Sequence, residues 1–346
     1  MKLDSKKQEE LNEVLEGLKR PYKSISSKFF YDSKGCELFQ KITQLDEYYL
    51  SRCEREILSN IGPALQKHVG NYNIEFIEIG PGDGSKGRLV LSQLLTKETN
   101  IEYFGIDICD QALTELKREF SQLPQKVDPQ LVLGDYLKFS NLPLAKNKKR
   151  KIVCFFGSSI GNLSHEESTQ FIKDVSQALT DGDYFLIGFD LKKDLEVMTK
   201  AYNDSLGITR EFNLNLLTRF NREFNADFDK TQFDHLEYYS EQVGAMVSFL
   251  VSKTDQTVSL GSEKIEFKAG EKIHTESSHK YNENDIQNLI SKSDLVIADQ
   301  FLDSKKYFNC VLFKKVDQIS RSKLQKAATC VNADTAADSK AFVWAT

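Results

Sequence analysis

The spacing of apolar positions changes twice along the chain. Over residues 5–20, Leu11, Val14, Leu15 and Leu18 recur on one face, the period of an amphipathic helix, and Pro21 stops it. A loop-rich stretch carrying Phe29, Phe30 and Tyr31 follows. Helical spacing resumes over 35–47 and 51–68, with Ser51 as the expected N-cap of the second helix. From residue 74 the pattern shortens to apolar runs: Ile74-Glu-Phe-Ile-Glu-Ile79, Ile101-Glu-Tyr-Phe-Gly-Ile106, Gln130-Leu-Val-Leu133, Lys151-Ile-Val-Cys-Phe-Phe156 and Tyr184-Phe-Leu-Ile-Gly-Phe189. Helical segments over 86–95, 110–121 and 165–179 separate them. Strands alternating with helices at this pitch predict an α/β fold, a parallel sheet covered on both faces.

Residues 207–280 break that alternation with helical pieces and then alternating strands such as Met246-Val-Ser-Phe-Leu-Val251, with a turn expected at Gly261-Ser-Glu. A helix over 283–292 and two apolar runs, 294–300 and 307–313, resume the sheet pattern. Their short link predicts an antiparallel pair at the sheet edge. The tail after about residue 316 has little apolar periodicity and is expected to be poorly ordered.

Composition narrows the class. With 346 residues, 40% hydrophobic and 28% charged, the chain can bury one large core or two ordinary ones. A net charge of -5 offers no field for nucleic acid, and the run Lys146-Asn-Lys-Lys-Arg-Lys151 reads as a solvated loop before a strand. The six cysteines form no Cys-x-x-Cys pair, and His274 and His279 do not have a usual zinc-ligand spacing, so reduced thiols and no metal are expected. The charged N-terminus has no signal-peptide core, and no run nears the roughly 18 apolar residues of a membrane span. A cytoplasmic monomer acting on a small molecule is expected.

The candidate chemistry begins where the first parallel strand ends. Glu78-Ile-Gly80-Pro-Gly82-Asp-Gly84 lies between a strand and a helix, where glycines let the backbone approach a ligand and the helix N-terminus offers N–H donors. Alone this motif also fits a dinucleotide site or a structural turn. Asp107, ending the second strand, can accept hydrogen bonds from two ribose hydroxyls. In Gly134-Asp135-Tyr136, ending the third, an acid and an aromatic could meet an adenine amine and ring, with a helix cap as the lesser alternative for Asp135. Three such strand ends favour an adenosine ligand. The antiparallel final pair favours a methyltransferase sheet over a dehydrogenase one.

Other segments carry a more specific resemblance. Lys28-Phe-Phe-Tyr-Asp32, Glu47-Tyr-Tyr-Leu-Ser-Arg-Cys-Glu-Arg-Glu56, Phe156-Gly-Ser-Ser-Ile-Gly-Asn-Leu163, Ala201-Tyr-Asn-Asp204, Phe212-Asn-Leu-Asn-Leu216 and Thr275-Glu-Ser-Ser-His-Lys280 resemble the L-histidine Nα-methyltransferases of ergothioneine biosynthesis. The likeness covers about residues 22 to 315. It implies a Rossmann-like class I methyltransferase sheet with an antiparallel last strand (61–194 and 283–316) and a second, discontinuous α+β substrate-binding domain (1–60 and 195–282). It also implies S-adenosyl-L-methionine as cofactor and Nα-trimethylation of L-histidine to hercynine. The alternatives are another aromatic amino acid or indole amine as substrate, and a non-catalytic cofactor-binding protein. The loop departs from the family at Pro81, Asp83 and Gly84, and Tyr136 stands where Phe is common.

Carried over residue by residue, the resemblance implies Gly80, Lys86, Asp107, Asp135 and Tyr136 as cofactor contacts, with Lys86 reaching the methionine carboxylate. For the substrate it implies Tyr48, Gly157, Asn162, Tyr202, Glu276 and Ser278, with Tyr31 and Asn162 nearest the reacting amine. Asn162 can serve amine and carboxylate, Tyr202 the carboxylate, and Glu276 and Ser278, two apart on one strand face, the two ring nitrogens. Met246 would flank the ring as an apolar wall or be a strand core residue. Singly, Tyr48 and Tyr202 could be packing aromatics, Glu276 and Lys86 surface charges, and Asn162 a helix cap. No strong general base stands out.

Overall fold

The computed structural model describes residues 4–70, 73–95, 100–123, 127–135 and 149–317. Tyr136 and the tail from 318, for which expectations are given above, lie outside the described residues. Helix α1 (Ser5–Lys19) buries Leu11, Val14 and Leu18, with the Asp4 carboxylate capping its first turn. The two-residue strand β1 (Lys23–Ser24) and a 3-10 helix at Ser27–Phe30 precede α2 (Ser33–Thr43). The helix expected over 51–68 is two helices, α3 (Tyr49–Leu58) and α4 (Gly62–Val69). Pro63, in the first turn of α4, cannot continue α3 because it lacks the N–H and its ring clashes with the preceding turn. Ser51 is therefore inside a helix, and Tyr48 occupies the cap position of α3 without a side-chain cap bond.

The parallel alternation follows: β2 (Ile74–Ile79), α5 (Ser85–Leu94), β3 (Ile101–Asp107), α6 (Asp110–Phe120), β4 (Gln130–Leu133), β5 (Arg150–Phe155), α7 (His165–Ala178) and β6 (Tyr184–Asp190). Strands β2 and β6 are buried at every residue, as a sheet covered on both faces requires, although β2 carries Glu75 and Glu78 among its apolar residues. Helices α8 (Leu195–Tyr202) and α9 (Ile208–Phe224) lead into β7 (Phe233–Ser240), β8 (Ala245–Ser252), the hairpin β9 (Gln256–Leu260) and β10 (Glu263–Phe267), and β11 (Lys272–His279). The chain closes with α10 (Glu283–Ile290), β12 (Leu295–Leu302) and β13 (Phe308–Lys315).

Two main sheets result. The seven-stranded sheet runs β12-β13-β6-β5-β2-β3-β4. Only β13 opposes its neighbours, sitting between β12 and β6, so the expected antiparallel pair is inserted at the edge. This is the sheet of class I S-adenosylmethionine-dependent methyltransferases. The four-stranded sheet runs β1-β11-β8-β7, with β1 parallel to β11. One face of the large sheet packs Ile77, Phe155 and Phe185 against Phe171 of α7 and Leu289 of α10. From its other face a continuous core runs through Phe76, Leu58 and Tyr48 to Leu217 and Leu250, joining the large sheet to the small one.

Candidate active site

A cleft of about 1340 Å³ opens between the C-terminal ends of β2–β5 and the four-stranded sheet. Ligands in open α/β sheets bind beyond the carboxyl ends of the strands. Tyr31, Tyr48, Gly80, Lys86, Asp107, Asp135, Gly157, Asn162, Tyr202, Glu276 and Ser278 all line it. Met246 does not. It is paired with Ser278 across β8 and β11 but is only 1% exposed, a core residue of the sheet.

On the methyltransferase side, Gly80 and Gly82 have φ of 62° and 56°, the left-handed region open to glycine, and a Cβ at either would meet no atom within 4 Å. The loop backbone thus faces open space in the cleft, as a site for a bulky adenosine cofactor requires. Asp107 is pinned by donors to both oxygens, Gly82 N–H at 3.0 Å and Cys109 N–H at 2.9 Å. Burial raises its pKa while those backbone bonds oppose the rise. Lys86, one residue into α5, reaches Glu54 Oε2 of α3 at 2.6 Å. Glu54 is buried and its other oxygen accepts from Gly157 N–H at 2.7 Å. One carboxylate therefore fixes two of the expected ligand groups. Asp135 follows β4 and faces the same cleft.

The turn after β5 carries the substrate side. Gly157 and Ser158 have φ of 76° and 55°, and a 3-10 helix at Ser159–Asn162 follows. A Cβ on Gly161 would lie 3.0 Å from the His279 carbonyl, so glycine allows this turn to seat against β11. Helix α7 is capped by Ser164 with Glu167 in a capping box, which leaves Asn162 free of the capping role. The Asn162 amide instead stands near Glu276, where it favours the carboxylate form.

Tyr202 ends α8. Its hydroxyl and Ser278 Oγ are 2.6 Å apart, and Lys280 Nζ donates to both, at 2.7 and 2.9 Å. The structure thus joins Tyr202 and Ser278, which sequence reasoning assigns to different ends of the substrate. Lys280 has no exposed surface on its side chain and pairs with Asp190 Oδ2 at 2.8 Å. Asp190 also accepts from the Tyr49 hydroxyl at 2.8 Å and from Lys193. Tyr48 contacts Phe39 and Tyr202 edge-on, and Tyr31 contacts Phe39 and Phe212 in the same way, making an aromatic rim. Burial raises the pKa of Tyr48 and Tyr202 well above 10, so both are neutral phenols. Glu276 is pushed up to about 8 by burial and by Glu237, against Lys280 and the Asn162 amide.

Glu54, Asp190, Glu237 and Lys280 escape the sequence reading. Lys280 alone had a signal: it continues the alternation Glu276, Ser278, Lys280 along one strand face. The thiols of Cys36 and Cys109, distant in sequence, lie 3.0 Å apart at the cleft wall.

Comparison with known proteins identifies the family. Residues 10–315 match the family of histidine-specific, S-adenosylmethionine-dependent methyltransferases. The histidine N-alpha-methyltransferase of Mycolicibacterium smegmatis is 30% identical over 82% of this chain and 88% of its own. That of Mycobacterium tuberculosis is 33% identical over 78% and 83%. Ergothioneine biosynthesis protein 1 of Schizosaccharomyces pombe is 27% identical over 80% of this chain but only 37% of that longer protein. The chain belongs to the histidine-specific, S-adenosylmethionine-dependent methyltransferase family.

Proposed function

We propose that the chain methylates the α-amine of L-histidine, and does so three times to give hercynine, a step toward ergothioneine. The observation that carries the substrate is Glu276: a partly buried carboxylate beside Ser278 on one strand face, opening into the cleft that Gly80, Lys86 and Asp107 also line. S-adenosylmethionine supplies an activated methyl group on a sulfonium. Gly80, Lys86, Asp107 and Asp135 would hold it, with Tyr136 on the adenine. Residues 1–60 and 195–282 act as the substrate half, 61–194 and 283–316 as the cofactor half. The protein works as a cytoplasmic monomer on free amino acid.

Its side chains act by placement. A substrate imidazole N–H facing Glu276 gains a charge-assisted bond of about 1.5–3 kcal/mol. That bond favours the carboxylate form, which burial otherwise opposes. Tyr202, Ser278 and Lys280 form one donor cluster for the remaining polar groups. Tyr31 and Asn162 orient the amine, which must be neutral to attack. Neutral Tyr48 and Tyr202 cannot act as phenolate bases, so the ammonium proton leaves to water in the cleft. The aromatic rim of Tyr31 and Tyr48 suits the quaternary ammonium formed last.

Incubation with S-adenosylmethionine and a panel of amino acids, read by mass spectrometry, tests this. The expected result is a gain of three methyl groups on histidine. A gain on tryptophan or an indole amine with none on histidine would overturn the substrate, and tight cofactor binding without turnover on any would overturn the enzyme.

A further inference from the structure

Behind Glu276 the small sheet holds a second, buried acid. Glu237 on β7 and Glu276 on β11 both pair with Ser248 on the strand between them, so the three side chains form one cross-strand row on the same face. Ser248 Oγ donates to Glu237 Oε2. The side chain of Glu237 is 2% exposed, and that of His235, two residues earlier on the same face, is 3% exposed. His235 Nε2 lies 3.2 Å from Glu237 Oε2 but is misaligned for a hydrogen bond. Glu237 Oε1 has no hydrogen-bond partner among the described residues. Two carboxylates in one desolvated row, one of them incompletely bonded, are costly for a fold that needs only packing there.

The other groups around Glu276 do not cancel this second acid. Lys280 is the one cation acting on Glu276, and it is shared with Asp190, Tyr202 and Ser278. The Asn162 amide approaches from the cofactor side, while Tyr48 of the α3 cap and Tyr202 of α8 face it as neutral phenols. Across the sheet stand Ser248 and Glu237, with His235 beside them.

We propose that Glu237 is a positioning residue that sets the charge Glu276 presents to the substrate ring, and so tunes recognition of the imidazole. This rests on histidine as the substrate. Glu237 adds negative charge beside Glu276, so the pocket awaits a ring that brings a proton or N–H into it. A ring without such a group leaves two acids facing each other. The repulsion from Glu237 is among the causes that hold the Glu276 carboxyl above its ordinary range. The recognition unit is then the row Glu237–Ser248–Glu276, with His235 at its closed end.

Trimethylated histidine is the suitable probe, because it has no titratable amine to obscure the acid. Its binding, in the presence of S-adenosylhomocysteine, is measured by calorimetry from about pH 6 to pH 10, with the imidazole's own titration near 6.5 as internal reference. Wild type should show a second inflection in affinity, absent from Glu276→Gln. Glu237→Gln should move that inflection down by about one pH unit, a roughly tenfold change in the Glu276 ionisation constant. Glu237→Asp should restore it toward wild type. Glu237→Met is measured with the same expectation, so that one unfolded variant does not decide the matter. An inflection unmoved by Gln and Met, or moved equally by Asp, overturns the inference while leaving histidine as substrate. Wild type that does not bind the probe overturns the substrate assignment and the inference together.

Discussion

Replacing Glu276 by Gln should make the ligand-free protein more stable and the enzyme worse. Gln keeps the size and one acceptor oxygen while removing the charge. In the native state burial and Glu237 push the Glu276 carboxyl from its ordinary 4.5 up to about 8. The native state therefore binds a proton more tightly than the unfolded chain. Stability linked to this group is fully present below about pH 4.5 and is lost as pH rises toward about 8. The gap between 4.5 and about 8, at about 1.4 kcal/mol per pH unit, sets a ceiling near 5 kcal/mol above pH 8 and about 3 kcal/mol at pH 7. Gln mimics the protonated form and escapes this loss. Urea denaturation of both proteins from pH 5 to about 9 should show curves that nearly coincide at the acid end and diverge upward for the variant. Histidine affinity should fall about tenfold, as a charge-assisted bond is replaced by a neutral one. A variant no more stable than wild type at pH 9, or one whose gain does not change with pH, would refute the reasoning.

Three further outcomes follow from the cleft. Lys86→Met strands the buried Glu54 carboxylate and should cost about 3–5 kcal/mol in denaturant melts. Adding Glu54→Gln should recover most of that stability without recovering S-adenosylmethionine affinity, which calorimetry separates. Tyr202→Phe removes the hydroxyl shared by Ser278 and Lys280 and should raise KM for histidine about five- to tenfold, with KM for the cofactor unchanged. The Cys109 thiol is pulled down to about 7 by the hydrogen bond from Cys36, so diamide should join the two sulfurs and slow turnover. Non-reducing peptide mass spectrometry should find the linked pair, dithiothreitol should restore the rate, and Cys36→Ser should be insensitive.

The large sheet was legible because strands such as β6, buried on both faces, spell out long apolar runs, here Tyr184 to Phe189. The glycine loop and Asp107 were legible because a strand end, a tight turn and a helix start are local events. The break at Gly62-Pro63 was obscured by apolar spacing that continues through it, from Ile57 and Leu58 to Leu65 and Val69. The expected residues Glu276, Tyr202 and Asn162 came from whole-segment resemblance, because each in isolation suits a solvated or packing role. Glu54, Asp190 and Glu237 were invisible for the same reason. A charged residue reads as solvent-facing until packing brings an opposite charge from far along the chain, as Glu54 meets Lys86 and Asp190 meets Lys280. Met246, opposite Ser278, takes the strand-core place that was one of its two expected roles.

The short strand β1 has a consequence for how the molecule comes together. Lys23 and Ser24 lie in register with Ile273 and His274, so the first strand closes a sheet whose neighbouring strand is made some 250 residues later. During synthesis the segment β2–β6 can collapse into a nascent nucleotide-binding unit while the N-terminal arm waits for its edge. The strand that carries Glu276 is thus made late, and Lys23 and Ser24 must wait for it before the small sheet is complete.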